Sequence, residues 1–132
     1  MRCLGRALTL IAVLSLWPAS AVGQSAEVMD AYNRYRELYT QGRYEQAIPF
    51  AEKALKLGER ELGPKDRDTA PLLNDLALLY KIQGRYGEAE PLYRRALAID
   101  EKTLGPEHPK VATTLSNLAN LYPTFPRWVP NP

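Results

Sequence analysis

The chain of 132 residues has a single cysteine, Cys3, and a single histidine, His108. A structural zinc site takes four such ligands and a disulfide takes two thiols, so neither can organise this chain. The chain also lacks an excess of one charge: of its 17 basic residues, Arg2 and Arg6 lie near the start, and the remaining 15 equal the 15 acidic residues. The formal net charge of +2 therefore falls to zero without those two arginines, which is not the basic footprint of a nucleic-acid-binding protein, and we expect no such partner.

The first 23 residues have the pattern of a signal peptide. Arg2 and Arg6 precede a short apolar stretch, which small residues follow. This pattern predicts cleavage near Gly23, leaving Gln24 as the new N-terminus, with a second candidate cut two residues earlier. The apolar stretch is shorter than the ~20 residues of a spanning helix, which argues against an uncleaved anchor. We therefore expect an exported protein, periplasmic or secreted, without stable membrane insertion and without cysteine.

The rest of the chain repeats itself with a period of 42 residues. The run Gln41-Gly42-Arg43-Tyr44 returns at 83–86, and the run Leu62-Gly63-Pro64 returns at 104–106. Apolar side chains recur at i, i+3, i+4 and i+7 within each unit, which predicts two helices per unit. No stretch alternates with the period of a strand, so the pattern predicts stacked helix pairs. We place this domain at 24–122, in units 25–66, 67–108 and 109–122.

Local signals place the helix ends and the closest packing. Asp68 and Thr69 are candidate caps for the first helix of the second unit, and Pro91 is expected near the first turn of the next helix. That helix is predicted to end near Leu104, before a Gly-Pro pair. Ala77 and Ala89 are small enough to let the two helices of the unit approach closely. These apolar positions are interpreted as core.

The arrangement resembles the tetratricopeptide repeat family, in a long form similar to the repeats of kinesin light chain. The resemblance is carried by the linker Leu104-Gly105-Pro106-Glu107-His108-Pro109 and by the signature positions Leu73, Leu76, Ala77, Tyr80, Ala89, Tyr93 and Ala96. It implies an all-α fold, a right-handed superhelical stack of antiparallel helix pairs (a solenoid) that binds proteins. Residues 25–41 depart from the family pattern. They look like a degenerate first helix with the apolar stripe Tyr32, Tyr35, Leu38 and Tyr39.

The resemblance further implies a concave groove, lined by the first helix of each pair, that receives a peptide. Carrying the family's groove positions over gives Tyr32, Arg36, Tyr39, Asn74, Leu78, Lys81, Ser116 and Asn120. The amide of Asn74 suits a peptide backbone, because it both donates and accepts. Arg36 and Lys81 favour an acidic segment, whereas the tyrosines favour an aromatic or apolar one. The alternative is that all eight positions form a solvated helix face.

The residues give no pattern for catalysis, so we predict neither an enzyme nor a cofactor. His108 lies in a turn that matches a structural family motif, which favours a structural role. Glu88 and Glu90 are two positions apart on a helix and so lie on different faces, unlike an acid/base pair. Arg94 and Arg95 are surrounded by acidic residues and are interpreted as part of a mixed surface.

The chain ends in a proline-rich segment, 123–132, whose four prolines exclude a helix. Two helix pairs and one unpaired helix would leave some apolar side chains partly uncovered; we expect this of Leu118, Leu121 and Tyr122. Three explanations stay open: Phe125 and Trp128 fold back, a partner or second copy covers the face, or the reading frame is truncated or shifted. The function that we predict is therefore that of a non-catalytic adaptor, which binds a peptide in its groove. The alternatives are a truncated arm of a larger, even catalytic, protein and a self-association module.

Overall fold

The structure is a computed structural model that describes residues 19–122, with side chains from residue 26 onward. Its helices are α1 (Ala19–Thr40), α2 (Tyr44–Glu61), α3 (Thr69–Ile82), α4 (Tyr86–Leu104) and α5 (Pro109–Ala119). Each helix packs on its neighbours in the chain, and residues 19–122 contain no strand. The predicted all-α stack is confirmed: α1 pairs with α2, α3 pairs with α4, and α5 is a single helix.

The turns within the two helix pairs have the same backbone. Gly42 and Gly84 adopt φ of 71° and 73°, a left-handed conformation that costs glycine little. The amide of Arg85 then donates to the carbonyl of Tyr80 at 2.8 Å, and the amide of Arg43 donates to that of Leu38 at 2.9 Å. This is the hydrogen-bond pattern of a Schellman motif, which ends a helix sharply. The repeated sequence therefore produces a repeated turn.

The turn before α3 is held by side-chain hydrogen bonds, but neither predicted residue caps the helix. Asp68 precedes α3 with φ −80° and ψ −9°, and its side chain makes no capping hydrogen bond. An N-cap side chain reaches its own helix most easily from extended backbone, and Asp68 is helical, so that prediction is wrong. The Thr69 hydroxyl instead donates to the carbonyl of Gly63 at 2.8 Å. Asp66 accepts from the amide of Asp68 at 2.9 Å.

The start of α4 also differs from prediction. Because the helix begins at Tyr86, directly after the turn, Pro91 lies in its second turn rather than its first. Pro49 has the same place in α2. Each proline lacks an N–H, so the carbonyl four residues earlier, at Glu45 or Gly87 in the exposed first turn, loses its helical hydrogen bond. The predicted end of this helix at Leu104 is confirmed.

The core follows the repeat. Ala77 and Ala89 are both fully buried, as predicted for the closest approach of α3 and α4. In α1 the degenerate stripe is also confirmed, since Tyr35 and Leu38 are buried and join the core. Ala31 completes it, and Tyr32 and Tyr39 are half-buried against it, so α1 is an integral part of the stack.

The chain after α5 closes over part of the last helix. Leu121 is fully buried, so the expectation that it would be uncovered is wrong. Here the chain turns back towards α4, and the Tyr122 hydroxyl donates to the Glu90 carboxylate at 2.5 Å. Leu118 is half-buried, whereas Leu115 and Tyr122 are 47% and 49% exposed. The predicted tail at 123–132, with Phe125 and Trp128, lies outside the described residues.

The predicted signal peptide lies mostly outside the described residues as well. The predicted cut at Gly23 falls in the first part of α1, whose side chains are described from residue 26 onward. None of the helices between residues 19 and 122 is both long and apolar enough to cross a membrane.

Candidate groove between the first helices

The first helices of successive units, α1, α3 and α5, leave two clefts between them. The first cleft, about 290 Å³, is lined by Val28, Met29, Tyr32, Glu61, Leu62, Asp68, Pro71 and Leu72. The second cleft, about 310 Å³, is lined by Tyr32, Pro71, Asn74, Asp75, Leu78, Asp100, Lys110, Thr113, Thr114 and Asn117. The two clefts share Tyr32 and Pro71, and together they form one depression along the first helices.

The clefts are equivalent places in the repeat. Adding 42 to the number of a residue in the first cleft gives a residue of the second for five of its eight lining positions. Those positions are Met29, Tyr32, Asp68, Pro71 and Leu72, which correspond to Pro71, Asn74, Lys110, Thr113 and Thr114. The repeated backbone thus builds the same cleft twice, and the side chains give each cleft its own chemistry.

A polar bridge crosses the second cleft. The Asn74 amide on α3 donates to the Thr114 hydroxyl on α5 at 3.3 Å. That hydroxyl donates in turn to the Lys110 carbonyl, 3.1 Å away within its own helix. One N–H of Asn74 remains for a ligand, and its carbonyl oxygen, which lies 3.4 Å from the same Thr114 hydroxyl, can accept a further hydrogen bond. The bridge positions the amide that sequence analysis singled out for a peptide backbone.

The floor of the second cleft carries a half-buried carboxylate, Asp75. Burial raises the pKa of Asp75 to about 6, although hydrogen bonds from Tyr35 and Tyr32 and the nearby charge of Arg36 act to lower it. The same contacts act on the phenol: burial, then the Asp75 charge, raises the pKa of Tyr35 above its usual value. The cleft therefore offers a carboxylate that is held by phenol donors from α1.

A second carboxylate, Asp100 on α4, closes the same cleft. Asp100 is 2% exposed and lines the cleft from α4. Burial raises its pKa, and the charges of Lys110 and His108 oppose that rise. Two carboxylates and one ammonium group therefore face the cleft, an arrangement suited to hydrogen-bond donors and cations.

Tyr93 lies beneath the groove, and its hydroxyl lacks a hydrogen-bond partner among the described residues. Its ring is fully buried. Burial, and after it the charge of Asp75, raises the pKa of Tyr93 to about 12. The hydroxyl therefore stays protonated at neutral pH. Its side chain contributes to the core that supports α1 and α3.

The structure brings together only part of the predicted groove set. Tyr32, Asn74 and Leu78 line the clefts. Arg36 lies beside them, close enough to act on the Asp75 carboxylate. The other four line neither cleft. Tyr39 packs against the rings of Tyr35 and Tyr44, and Lys81 is in the last turn of α3. The Ser116 hydroxyl donates to a carbonyl of its own helix, and Asn120 ends α5.

The repeat explains why α5 departs from the prediction. Position 116 corresponds to position 74, which faces the following unit, and no following first helix lies within the described residues. The second cleft is instead lined by the opposite edge of α5, through Thr113, Thr114 and Asn117. Sequence analysis also missed Asp75 and Asp100. Asp75 is a lone acidic residue among apolar helical neighbours, and that was the available signal, whereas Asp100 is followed directly by Glu101 and had no such signal.

The residues considered for catalysis have structural roles. The His108 Nδ1 accepts from the amide of Lys110 at 3.2 Å and so caps α5. Glu88 pairs with Arg85, and Glu90 pairs with Arg94 at 2.7 Å, so the two glutamates act on different partners. Arg95 pairs with Glu59, which confirms a mixed surface. Residues 19–122 contain no cluster of three metal-ligating side chains.

The sequence profile of the tetratricopeptide repeat family matches residues 38–102 and again residues 72–123. The matches together span well over half of the chain, and the chain belongs to this family. Repeats of this family generally mediate binding between proteins, and the family is typically non-catalytic. No curated protein sequence gives a significant match.

Proposed function

We propose that the protein is a non-catalytic adaptor whose groove binds a peptide segment of a partner protein. The observation that supports this proposal is the continuity of the two clefts, which meet at Tyr32 and Pro71 along the first helices. Helices that are already packed lose little conformational entropy on binding, so a few contacts suffice for a useful affinity.

The chemistry of the second cleft suggests how the segment is held. Asn74 presents an amide to a peptide backbone, and Leu78 presents apolar surface beside it. Asp75 and Asp100 place negative charge on the floor, where a donor or a cation from the segment would satisfy it. Arg36 and Lys81, which in the sequence favour an acidic segment, lie outside the cleft lining.

Selection from a random peptide library on the immobilised mature chain tests the groove. Affinities of the selected peptides are then measured for the wild type and for Asn74→Ala and Leu78→Ala. Each substitution should weaken binding by about tenfold, as expected for a residue that contributes over 1 kcal/mol. Lys53→Ala, an exposed change on α2, is the matched control and should bind as the wild type does. Peptides that bind all four proteins equally would refute the groove.

Self-association is a second candidate function. Leu115 on α5 is 47% exposed, whereas Leu73, its counterpart in α3, is fully buried. A second copy that covers α5 would bury this side chain as a following unit does. Sedimentation velocity over a range of concentrations would then show a dimer that Leu115→Lys removes. A concentration-independent monomer would exclude this function.

We also propose that the chain is exported and cleaved near Gly23. Among the described side chains of α1, which start at residue 26, the first buried one is Ala31, so the described core lies after the proposed cut. Intact-mass measurement of the protein recovered from outside the cytoplasm tests this directly. The expected mass is that of a chain starting at Gln24, and recovery of only the full-length chain inside the cell would contradict export.

A further inference from the structure

The first cleft contains a buried carboxylate oxygen that lacks a hydrogen bond. The Glu61 side chain is 8% exposed, and its Oε1 has no hydrogen-bond partner among the described residues. The Arg60 guanidinium is 3.6 Å away, at ion-pair distance but beyond hydrogen-bond length. Arg60 is itself 61% exposed and is also 4.0 Å from Glu27, so it neutralises Glu61 only partly.

A buried carboxylate without a donor is costly. Desolvation removes the hydrogen bonds that water would supply, and the low dielectric strengthens the penalty. A ligand that brings a positively charged donor to Glu61 Oε1 would restore what water provided, with a charge-assisted hydrogen bond. Glu61 therefore favours a cationic group at the back of the first cleft.

The walls of the first cleft are apolar. Met29 and Leu62 are 53% and 48% exposed, which is high for large apolar side chains, and Leu72 and Pro71 lie between them. Methionine adapts its shape readily to an incoming side chain. A ligand with a large apolar group would cover this surface and gain the hydrophobic contribution of its burial.

The charge at the cleft differs from that of its counterpart. Asp68 lines the first cleft, and Lys110 occupies the same repeat position in the second. The first cleft thus has two acidic lining residues, Glu61 and Asp68, and no basic one. Charge complementarity selects a cation here.

We propose that the first cleft is a subsite for a peptide segment in which a large apolar side chain is adjacent to a lysine or arginine. The apolar side chain packs among Met29, Leu62 and Leu72, and the basic group donates to Glu61. This inference rests on the proposed function, since the segment belongs to the same partner, and it adds the chemistry that the partner presents.

An NMR titration with two dipeptides tests the subsite without knowledge of the partner. The probes are acetyl-leucyl-lysine amide and its uncharged match, acetyl-leucyl-norleucine amide, and the signals are the methyl groups of Met29 and Leu72. The lysine peptide should shift both methyl signals saturably and bind about tenfold more tightly than the norleucine peptide, as a charged hydrogen bond implies.

Three variants separate the carboxylate from general effects. Glu61→Gln keeps the shape of the side chain but removes its charge, and it should abolish the preference for the lysine peptide over the norleucine peptide. Arg60→Ala removes the competing cation and should tighten binding of the lysine peptide. Glu101→Gln, an exposed acidic change on α4, should leave the preference unchanged. Thermal melts of each variant confirm that it is folded.

Equal binding of the two dipeptides, or a preference that survives in Glu61→Gln, would overturn the inference. So would methyl shifts that occur away from the first cleft. None of these results bears on Asn74 and Leu78 in the second cleft, so the groove proposal is judged separately by its own library experiment.

Discussion

The two clefts occupy the same place in successive units, yet one is apolar and acidic and the other is polar and mixed. Leu72 in the first cleft corresponds to Thr114 in the second, and Asp68 corresponds to Lys110. The turns within the two helix pairs share the same glycine conformation, although α5 begins two repeat positions earlier than α3. A repeat protein can therefore preserve its stack while it varies the surface that a partner meets.

The second helix of each unit, α2 or α4, also differs in its side chains between the two clefts. Gly58 in α2 corresponds to Asp100 in α4. A Cβ at Gly58 would lie 2.6 Å from Cδ1 of Leu72, so glycine permits the close approach of α2 to that leucine. At the second junction Leu72 is replaced by the smaller Thr114, and the space admits the Asp100 carboxylate. The change of these two side chains together is thus one part of the difference between the clefts.

The largest expected effect concerns α3, the helix that lines both clefts. Leu73 is fully buried, and Leu73→Ala should destabilise the fold by about 2–5 kcal/mol, because it removes core contacts and leaves a cavity. Leu115→Ala, at the equivalent position in α5, should cost under about 0.5 kcal/mol, since that side chain is 47% exposed. Urea denaturation of both variants is the measurement. Similar losses would show that the ends of the stack are as tightly packed as its centre.

The next effect is the pH dependence that Asp75 gives to the second cleft. Burial raises the pKa of Asp75 from 3.8 to about 6, so between about pH 4 and pH 6 the folded chain holds a proton that the unfolded chain has released. Stability from this group therefore falls as pH rises through that window and is constant above it. Asp75→Asn should remove the fall, a difference of about 1–3 kcal/mol.

Urea denaturation of the wild type and Asp75→Asn from pH 3 to pH 8 measures this difference. The equivalent residues in the other units, Asn33 and Asn117, are already asparagine, so the variant makes the three units alike at this position. Asn33→Asp places a carboxylate at an exposed site and serves as the control, with no fall of this kind expected. Parallel curves for the wild type and Asp75→Asn would rule out the Asp75 carboxylate as the cause.

A smaller effect comes from the bridge that only the second cleft has. A double-mutant cycle with Asn74→Ala and Thr114→Val should give a coupling energy of about 0.5–1.5 kcal/mol, the net value of a hydrogen bond in a folded protein. The control cycle uses Thr113→Val, because the Thr113 hydroxyl donates to the Pro109 carbonyl in its own helix. Zero coupling for the first cycle would mean that the bridge adds nothing to stability.

The smallest effect concerns the turns that lead into the clefts. His108 and Asp66 have the same repeat position, and each accepts from the amide two residues ahead. His108→Ala should cost about 1 kcal/mol, the usual loss for a helix cap. His108→Asp should restore the stability, because Asp66 already performs this role in the first unit. Denaturation curves decide it, and an aspartate that fails to rescue would show that the two turns are not interchangeable.

The sequence predicted most of the fold and about half of the groove. The 42-residue period, the glycine turns and the buried alanines all follow from local patterns, which the helix geometry converts directly into structure. The cap at Asp68 and the exposure of Leu121 were wrong, since both depend on how the chain turns after a helix ends. Ser116 and Asn120 were carried over from the family's groove positions, which do not show which edge of a helix has a neighbour in this chain.

By itself the sequence determined the helix pairs, their period and the residues of their core, because apolar spacing and glycine act within a few turns of helix. Only the tertiary structure decided which polar groups meet. Asp75 faces two tyrosines of α1, Asn74 reaches Thr114 forty residues away, and the Glu61 side chain is 8% exposed at the edge of an apolar cleft. These contacts depend on how separate units stack, so no local pattern in the sequence predicts them.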